Sequence, residues 1–258
     1  MHSTEEKLKA FERLLEIMDE LREKCPWDRE QTLESLRNLT IEETYELADA
    51  IMDQDLEEIR KELGDLMLHI VFYAKIGAEK GAFDIADVLQ GVTQKLIFRH
   101  PHVFGELKVK DSGEVIENWE ELKMKEGHRS VLAGVPVSLP AMIKSHRIQD
   151  KARAVGFDWD QREQVWDKVV EEINEVRHEV TNGNDKQRVE EEIGDLLFSI
   201  VNAARLYDVE PETALERTNR KFIYRFKYLE KKALESGRSI KEMSLEEMEA
   251  IWQEAKSV

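Results

Sequence analysis

The chain has a single cysteine, Cys25, in 258 residues, so no disulfide can close within it. That excludes a disulfide-stapled scaffold and suits a reducing compartment, and a cytoplasmic location is expected. Proline is scarce, with five residues, and no stretch alternates apolar and polar side chains with a period of two. A sheet architecture is therefore not expected. No apolar run approaches the roughly 20 residues of a membrane span, and the chain is charged from Glu5 onward, without the apolar stretch of a leader peptide. Positive charge is short as well: 38 Lys and Arg against 55 Asp and Glu leave a formal charge of −17. That balance argues against nonspecific binding to a nucleic-acid backbone or an anionic membrane.

What the chain has in quantity is acid at helical spacing. Glu171-Glu172-Ile173-Asn174-Glu175 is followed by turn residues at 181–185 and then by Glu192-Ile193-Gly194-Asp195. On helices, Glu172 with Glu175 and Glu192 with Asp195 each share one face. The midpoint of these four positions falls between Gly183 and Asn184, inside the turn. Residues equidistant from the turn of an antiparallel hairpin lie side by side, so the four carboxylates are expected to converge. Four converging acids repel one another and call for a cation between them. Oxygen-only donors suit a hard ion, Mg²⁺ before Ca²⁺ or Mn²⁺.

The same design stands earlier in the chain. Glu42, Glu43 and Glu46 precede a turn at Asp53-Gln54-Asp55, and Glu62 and Asp65 follow it, with Gln54 at the midpoint of Glu43, Glu46, Glu62 and Asp65. In so acidic a chain, one such pair is ordinarily a solvated helix face. Recurrence at matched geometry argues for two built sites. Gly64 and Gly194 sit inside the helical patterns, where glycine costs about 1 kcal/mol relative to alanine, and their matched positions suggest close approach of another backbone.

The surrounding periodicity predicts helices throughout. Leu8, Phe11, Leu14, Leu15, Met18 and Leu21 mark the first, which Cys25-Pro26 stops. Thr40-Ile41-Glu42-Glu43 reads as a capping box with Thr40 as N-cap, which would make Glu43 a cap partner rather than a ligand. Further helices are expected after Asp55 as far as Gly81, over 85–98, 115–125, 141–154, 161–180, 186–207, 211–236 and 244–256. Residues 127–140, with two glycines and two prolines, read as a linker. The expected fold is all-α, a tandem repeat of two helical bundles over 1–126 and 141–258.

Cations follow each acidic hairpin in the same order. Lys95 and Arg99 match Lys221 and Arg225, four apart on one helix face, and Trp119 with Lys123 matches Trp252 with Lys256. Singly, these are surface ion pairs and core tryptophans. As a recurring set beside a metal cluster, they suit a polyphosphate, whose non-bridging oxygens the cations would hold.

These residues resemble the MazG nucleoside triphosphate pyrophosphohydrolases of the all-α NTP pyrophosphatase superfamily. The acidic pattern carries the likeness, together with Cys25-Pro26-Trp27-Asp28, Arg99-His100-Pro101-His102-Val103-Phe104 and Val155-Gly156-Phe157-Asp158-Trp159. The likeness is to the two-domain, bacterial-type members and covers nearly the whole chain. It implies a Mg²⁺-dependent enzyme, with Mn²⁺ as a substitute, that cleaves NTPs and dNTPs between the α and β phosphates to NMP and pyrophosphate. It also implies a homodimer formed through the helices, with active sites in the bundles. Carried over, Glu172, Glu175, Glu192 and Asp195 would be metal ligands and Glu171 an auxiliary acid for the attacking water. Lys221, Arg225, Trp252 and Lys256 would contact nucleotide.

The first repeat keeps every acid but has Leu39 where the second has Lys168. If both helices extend that far back, Lys168 joins the carboxylate face and Leu39 brings no charge to it. The second repeat is therefore expected to carry most of the activity. Two rivals stand beside this reading. Glu175-Val176-Arg177-His178 is the E-x-x-H element of helical di-iron proteins, although the first repeat has Asp49 in place of the histidine. The other rival is a non-catalytic scaffold whose acids are merely solvated.

Overall fold

The computed structural model describes residues 1–111, 113–115, 118, 119, 122, 130–183 and 185–257, with no strand among them. The all-α expectation holds. The chain divides into two compact units, Met1–Lys108 and Val109–Val258.

In the first unit, α1 (Thr4–Lys24) starts at a Ser3 capping box shared with Glu6. A short α2 (Pro26–Glu30) follows, then α3 (Leu33–Asp53) and α4 (Leu56–Glu79) as a hairpin, α5 (Ile85–Arg99), and α6 (Pro101–Phe104). Helix α1 packs against α4 and α2, and α3 against α4. Met18, Leu36, Val71, Phe72 and Ile76 form the buried core, with Phe11, Leu14, Leu15, Leu39 and Tyr73 packed against it.

In the second unit, α7 (Ala141–Arg153), α8 (Val165–Asn182), α9 (Lys186–Leu206), α10 (Pro211–Glu235) and α11 (Leu245–Glu254) follow one another. Pro211 opens α10 at its first turn, where its missing N–H costs nothing, and Ser244 boxes α11 with Glu247. Helices α8 and α9 form the second hairpin, and α9 also packs on α7. Val165, Val169 and Ala203 are its buried centre. Of the helix expected over 115–125, residues 115, 118, 119 and 122 are described and are helical, while Lys123 lies outside the described residues.

One boundary differs from expectation. Thr40 is not an N-cap; the cap lies eight residues earlier, at Thr32, and α3 begins at Leu33. Thr32 Oγ1 accepts from Ser35 N at 3.1 Å, and Ser35 Oγ accepts from Thr32 N at 2.9 Å. Thr40 sits mid-helix, where its hydroxyl donates to the Leu36 carbonyl at 3.0 Å and lies 2.7 Å from the Tyr73 hydroxyl. This frees Glu43 from any capping role and extends the helix back past Leu39.

Candidate metal centres

Each acidic hairpin is fixed in register by its turn. Gln54 takes a left-handed backbone conformation, φ 57°, and lets Asp55 N reach the Ala50 carbonyl at 3.1 Å. Asp55 then caps α4 by accepting from Glu57 N and Glu58 N. In the second hairpin, Gly183 N closes α8 on the Glu179 carbonyl at 2.9 Å, and Asp185 caps α9 through Gln187 N.

With the register set, three of the four acids expected in each hairpin come together. Glu43, Glu62 and Asp65 bring carboxylate oxygens within 4.8 Å of one another, and so do Glu172, Glu192 and Asp195. The remaining acid of each set, Glu46 and Glu175, is exposed and lies outside the tight group. Both still belong to the same field. The Glu46 charge helps push Glu62 upward in pKa, and Glu175 is itself raised by burial and then by Glu172 and Glu192. Glu43 is raised by burial, then by Asp65, Glu46 and Glu42.

A merely solvated acidic face would not bury its members. Glu62 is 6% exposed and Glu172 4%, and each has a buried Oε2 with no hydrogen-bond partner. A buried carboxylate oxygen without a partner, on a member of a group of like charges, is the donor a divalent cation requires. The residues present fit such an ion, with all-oxygen donors from two facing helices.

The two clusters differ at the position the sequence singled out. Lys168 Nζ lies 2.7 Å from Glu172 Oε1 and 2.9 Å from Glu171 Oε1. Hydrogen bonds to Glu172 and Glu171 hold the ammonium well above the usual lysine range. Leu39, at the matching place on α3, is half-buried and packs into the first unit's core.

The expected glycine contacts are absent among the described residues. A Cβ at Gly64 or Gly194 would meet nothing within 4 Å there, so no described backbone requires either one. Both lie on the open side of their hairpins.

Among the nucleotide candidates, Arg225 lies over the Trp252 ring at 5.9 Å. Phe222, which sequence reasoning passed over, meets the same ring at 5.0 Å between centroids and stacks on Phe226 at 6.0 Å. Its signal was available as an i, i+4 aromatic pair interleaved with Lys221 and Arg225. Lys221 and Lys256 are exposed. Among the described residues, no hydrogen bond or ion pair joins Lys221, Arg225, Trp252 or Lys256 to the Glu172, Glu192 and Asp195 cluster. In the first unit Lys95 is exposed and Arg99 half-buried, whereas Trp119 falls in the second unit. His178 is exposed and lies 3.4 Å from Glu179 Oε1 rather than in the acid cluster.

Two of the flanking motifs, those of Asp28 and Asp158, act as anchors. Asp158 receives Arg205 through both guanidinium nitrogens, at 3.0 and 2.5 Å, and Arg205 also donates to Asn202. Burial raises the Asp158 pKa, but the Arg205 hydrogen bonds, the Trp159 N–H and the nearby cations outweigh it, leaving the carboxyl below its usual range. In the first unit Asp28 is likewise buried. There Arg22 donates to the carbonyls of Asp28 and Gln31 and pairs with Glu79.

The MazG nucleotide pyrophosphohydrolase domain family matches this chain twice, over residues 31–104 and 161–229. Each match contains one acidic hairpin. The chain is 42% identical over 257 residues to a nucleoside triphosphate pyrophosphohydrolase of Escherichia coli, covering 96% of this chain and 98% of that protein. It is 42% identical over 251 residues to the nucleoside triphosphate pyrophosphohydrolase/pyrophosphatase MazG of Thermotoga maritima, covering 95% of each. A Bacillus subtilis protein, YabN, is 44% identical over 259 residues, with 98% of this chain matching 53% of its length. On the doubled match, and on two relatives 42% identical over at least 95% of both chains, the chain belongs to the MazG nucleotide pyrophosphohydrolase family.

Proposed function

We propose that this chain is a Mg²⁺-dependent nucleoside triphosphate pyrophosphohydrolase that cleaves NTPs and dNTPs between the α and β phosphates, releasing NMP and pyrophosphate. The observation that carries the reading is the pair of three-carboxylate clusters, each with a buried, unpartnered glutamate oxygen, in a chain of this family. The named relatives support the reaction class.

In the second unit Glu172, Glu175, Glu192 and Asp195 would hold the cation, and in the first unit Glu43, Glu46, Glu62 and Asp65. When bound, the ion supplies charge neutralisation at the phosphate and acidifies water. Glu171, exposed and next to Glu172 in sequence, would be an auxiliary acid for the attacking water. Lys168 is two hydrogen bonds from release onto a phosphate oxygen. Lys221, Arg225 and Lys256 offer further cations to the polyphosphate. The Trp252 face, flanked by Arg225 and Phe222, offers a surface for the base. Lys95, Arg99, Trp119 and Lys123 are the counterpart set by order in the sequence.

The second unit carries most of the activity, because Leu39 is committed to the core where Lys168 faces the acids. Domains of 1–126 and 141–258 around a 127–140 linker belong to this reading, and the family matches lie inside them. A cytoplasmic homodimer formed through helices completes it; no described helix is long and apolar enough to cross a membrane.

Product analysis with each NTP and dNTP, in Mg²⁺ or in EDTA, tests the proposal. The expected result is NMP with pyrophosphate only in Mg²⁺, reduced at least about 100-fold by Glu172→Gln, as for loss of a transition-state charge contact, and little changed by Glu43→Gln. NDP with phosphate would overturn the bond assignment, and loss of turnover only in Glu43→Gln would overturn the choice of unit.

A further inference from the structure

We propose that the two clusters take up divalent cations in a fixed order, the first unit ahead of the second, because Lys168 competes with the cation for Glu172. The proposal rests on the assignment of these carboxylates to cation binding and goes beyond it to how the sites fill.

In the second unit the ammonium has already claimed the carboxylate that a cation needs. Lys168 Nζ is 2.7 Å from Glu172 Oε1, while Oε2 of the same group has no partner. Glu172 is 4% exposed, so its charge is poorly hydrated and the ammonium is its principal compensation. A divalent ion entering on Oε2 would meet a positive charge across a single carboxylate, in surroundings that screen it weakly. Either Lys168 must swing out to solvent or Glu172 must be shared, and both weaken uptake.

No such competitor exists in the first unit. Leu39 takes the lysine's place and packs against the Met18 and Leu36 core. Lys61, next to Glu62 in sequence, is held by Glu58 at 2.7 Å. No lysine or arginine pairs with Glu43, Glu62 or Asp65 among the described residues. Glu62 Oε2 is buried and unpartnered in a group of acids with no cation of its own. This cluster gains more from a divalent ion and surrenders nothing to admit it.

Because the Lys168 side chain is 38% exposed, solvent tempers its hold on Glu172. The difference expected between the units is therefore modest, about five-fold in affinity, the low end of couplings between interacting sites.

A Mn²⁺ binding isotherm on the full chain, followed by electron paramagnetic resonance without nucleotide, reads this directly. Two classes are expected, the tighter lost in Glu62→Gln and the weaker lost in Glu192→Gln. Lys168→Met should tighten the weaker class about five-fold and merge it with the first, and Lys168→Arg should leave it weak. Equal affinities in the wild type, or an isotherm that Lys168→Met does not move, would overturn the order while leaving the cation sites intact. Absence of bound Mn²⁺, or binding indifferent to both glutamine variants, would overturn the cation assignment itself and this proposal with it.

Discussion

Glu62 concentrates the chemistry of the first unit in one side chain. Burial pushes its pKa upward, and the charges of Glu46, Asp65 and Glu43 push it further in the same direction. A carboxyl raised in this way favours folding fully below its unfolded pKa. That contribution fades as pH rises through the folded value, so the metal-free cluster is a liability at neutral pH. Glu62→Gln should therefore raise the melting temperature of the EDTA-treated protein at pH 7 and change it less at pH 4, while removing the first unit's share of stabilisation by Mg²⁺. Calorimetry at the two pH values, with and without Mg²⁺, checks this; a variant less stable than wild type in EDTA at pH 7 would contradict it. Sequence made the convergence of these acids legible, because equidistance from a turn is arithmetic. It could not supply their burial, which depends on tertiary packing. Nor did it place Thr40, whose spacing to Glu43 imitates a capping box. The true box uses Ser35 as the reciprocal acceptor, a residue that the usual Glu or Gln pattern does not include.

At the scale of elements, the two hairpins repeat one device with different fastenings. Both are closed by an aspartate cap on the second helix, Asp55 or Asp185, and this local chemistry is why the helix order and most boundaries could be read directly. The fastening of each hairpin to what precedes it could not, because it joins residues far apart in sequence. Arg205 on α9 reaches back 47 residues to Asp158, ahead of α8, with Arg205 itself 5% exposed. Removing one partner of so buried a pair strands the other, so Arg205→Met should destabilise the second unit by roughly 3 kcal/mol. The pH dependence runs opposite to that of Glu62. Asp158 sits below its usual range, so its contribution is present above the unfolded carboxylate pKa and is lost as pH falls through the folded value. Acid unfolding of the wild type should show this loss below about pH 4, and Arg205→Met should flatten it. An unchanged acid limb in the variant would assign the pair no electrostatic role.

The whole molecule carries opposing demands on association. A charge of −17 on each chain disfavours a second copy, yet large apolar side chains remain in solvent on both hairpins. Leu63, Met67 and Ile70 on α4 are 41–53% exposed, and Ile193, Leu197 and Ile200 on α9, at matching positions, are 43–51% exposed. They continue past the acidic clusters along helices whose opposite faces already fill the cores, so they are surplus to the folding of each unit. The sequence shows these positions only as more apolar periodicity, indistinguishable from core, which is why dimerisation entered through family resemblance rather than through spacing. Apolar contact is short-ranged and insensitive to salt, whereas repulsion between net charges is screened beyond about 8 Å at physiological ionic strength. The apolar faces should therefore win in ordinary buffers. Sedimentation velocity at 0.15 M salt is expected to give a species of about 60 kDa, twice the 30.2 kDa chain. The double variant Ile70→Glu, Ile200→Glu should sediment as the single chain with its helical content intact, since both positions are already wet in one copy. A wild type that stays monomeric, or a double variant that still dimerises, would place the association elsewhere and leave these matched stripes without a partner.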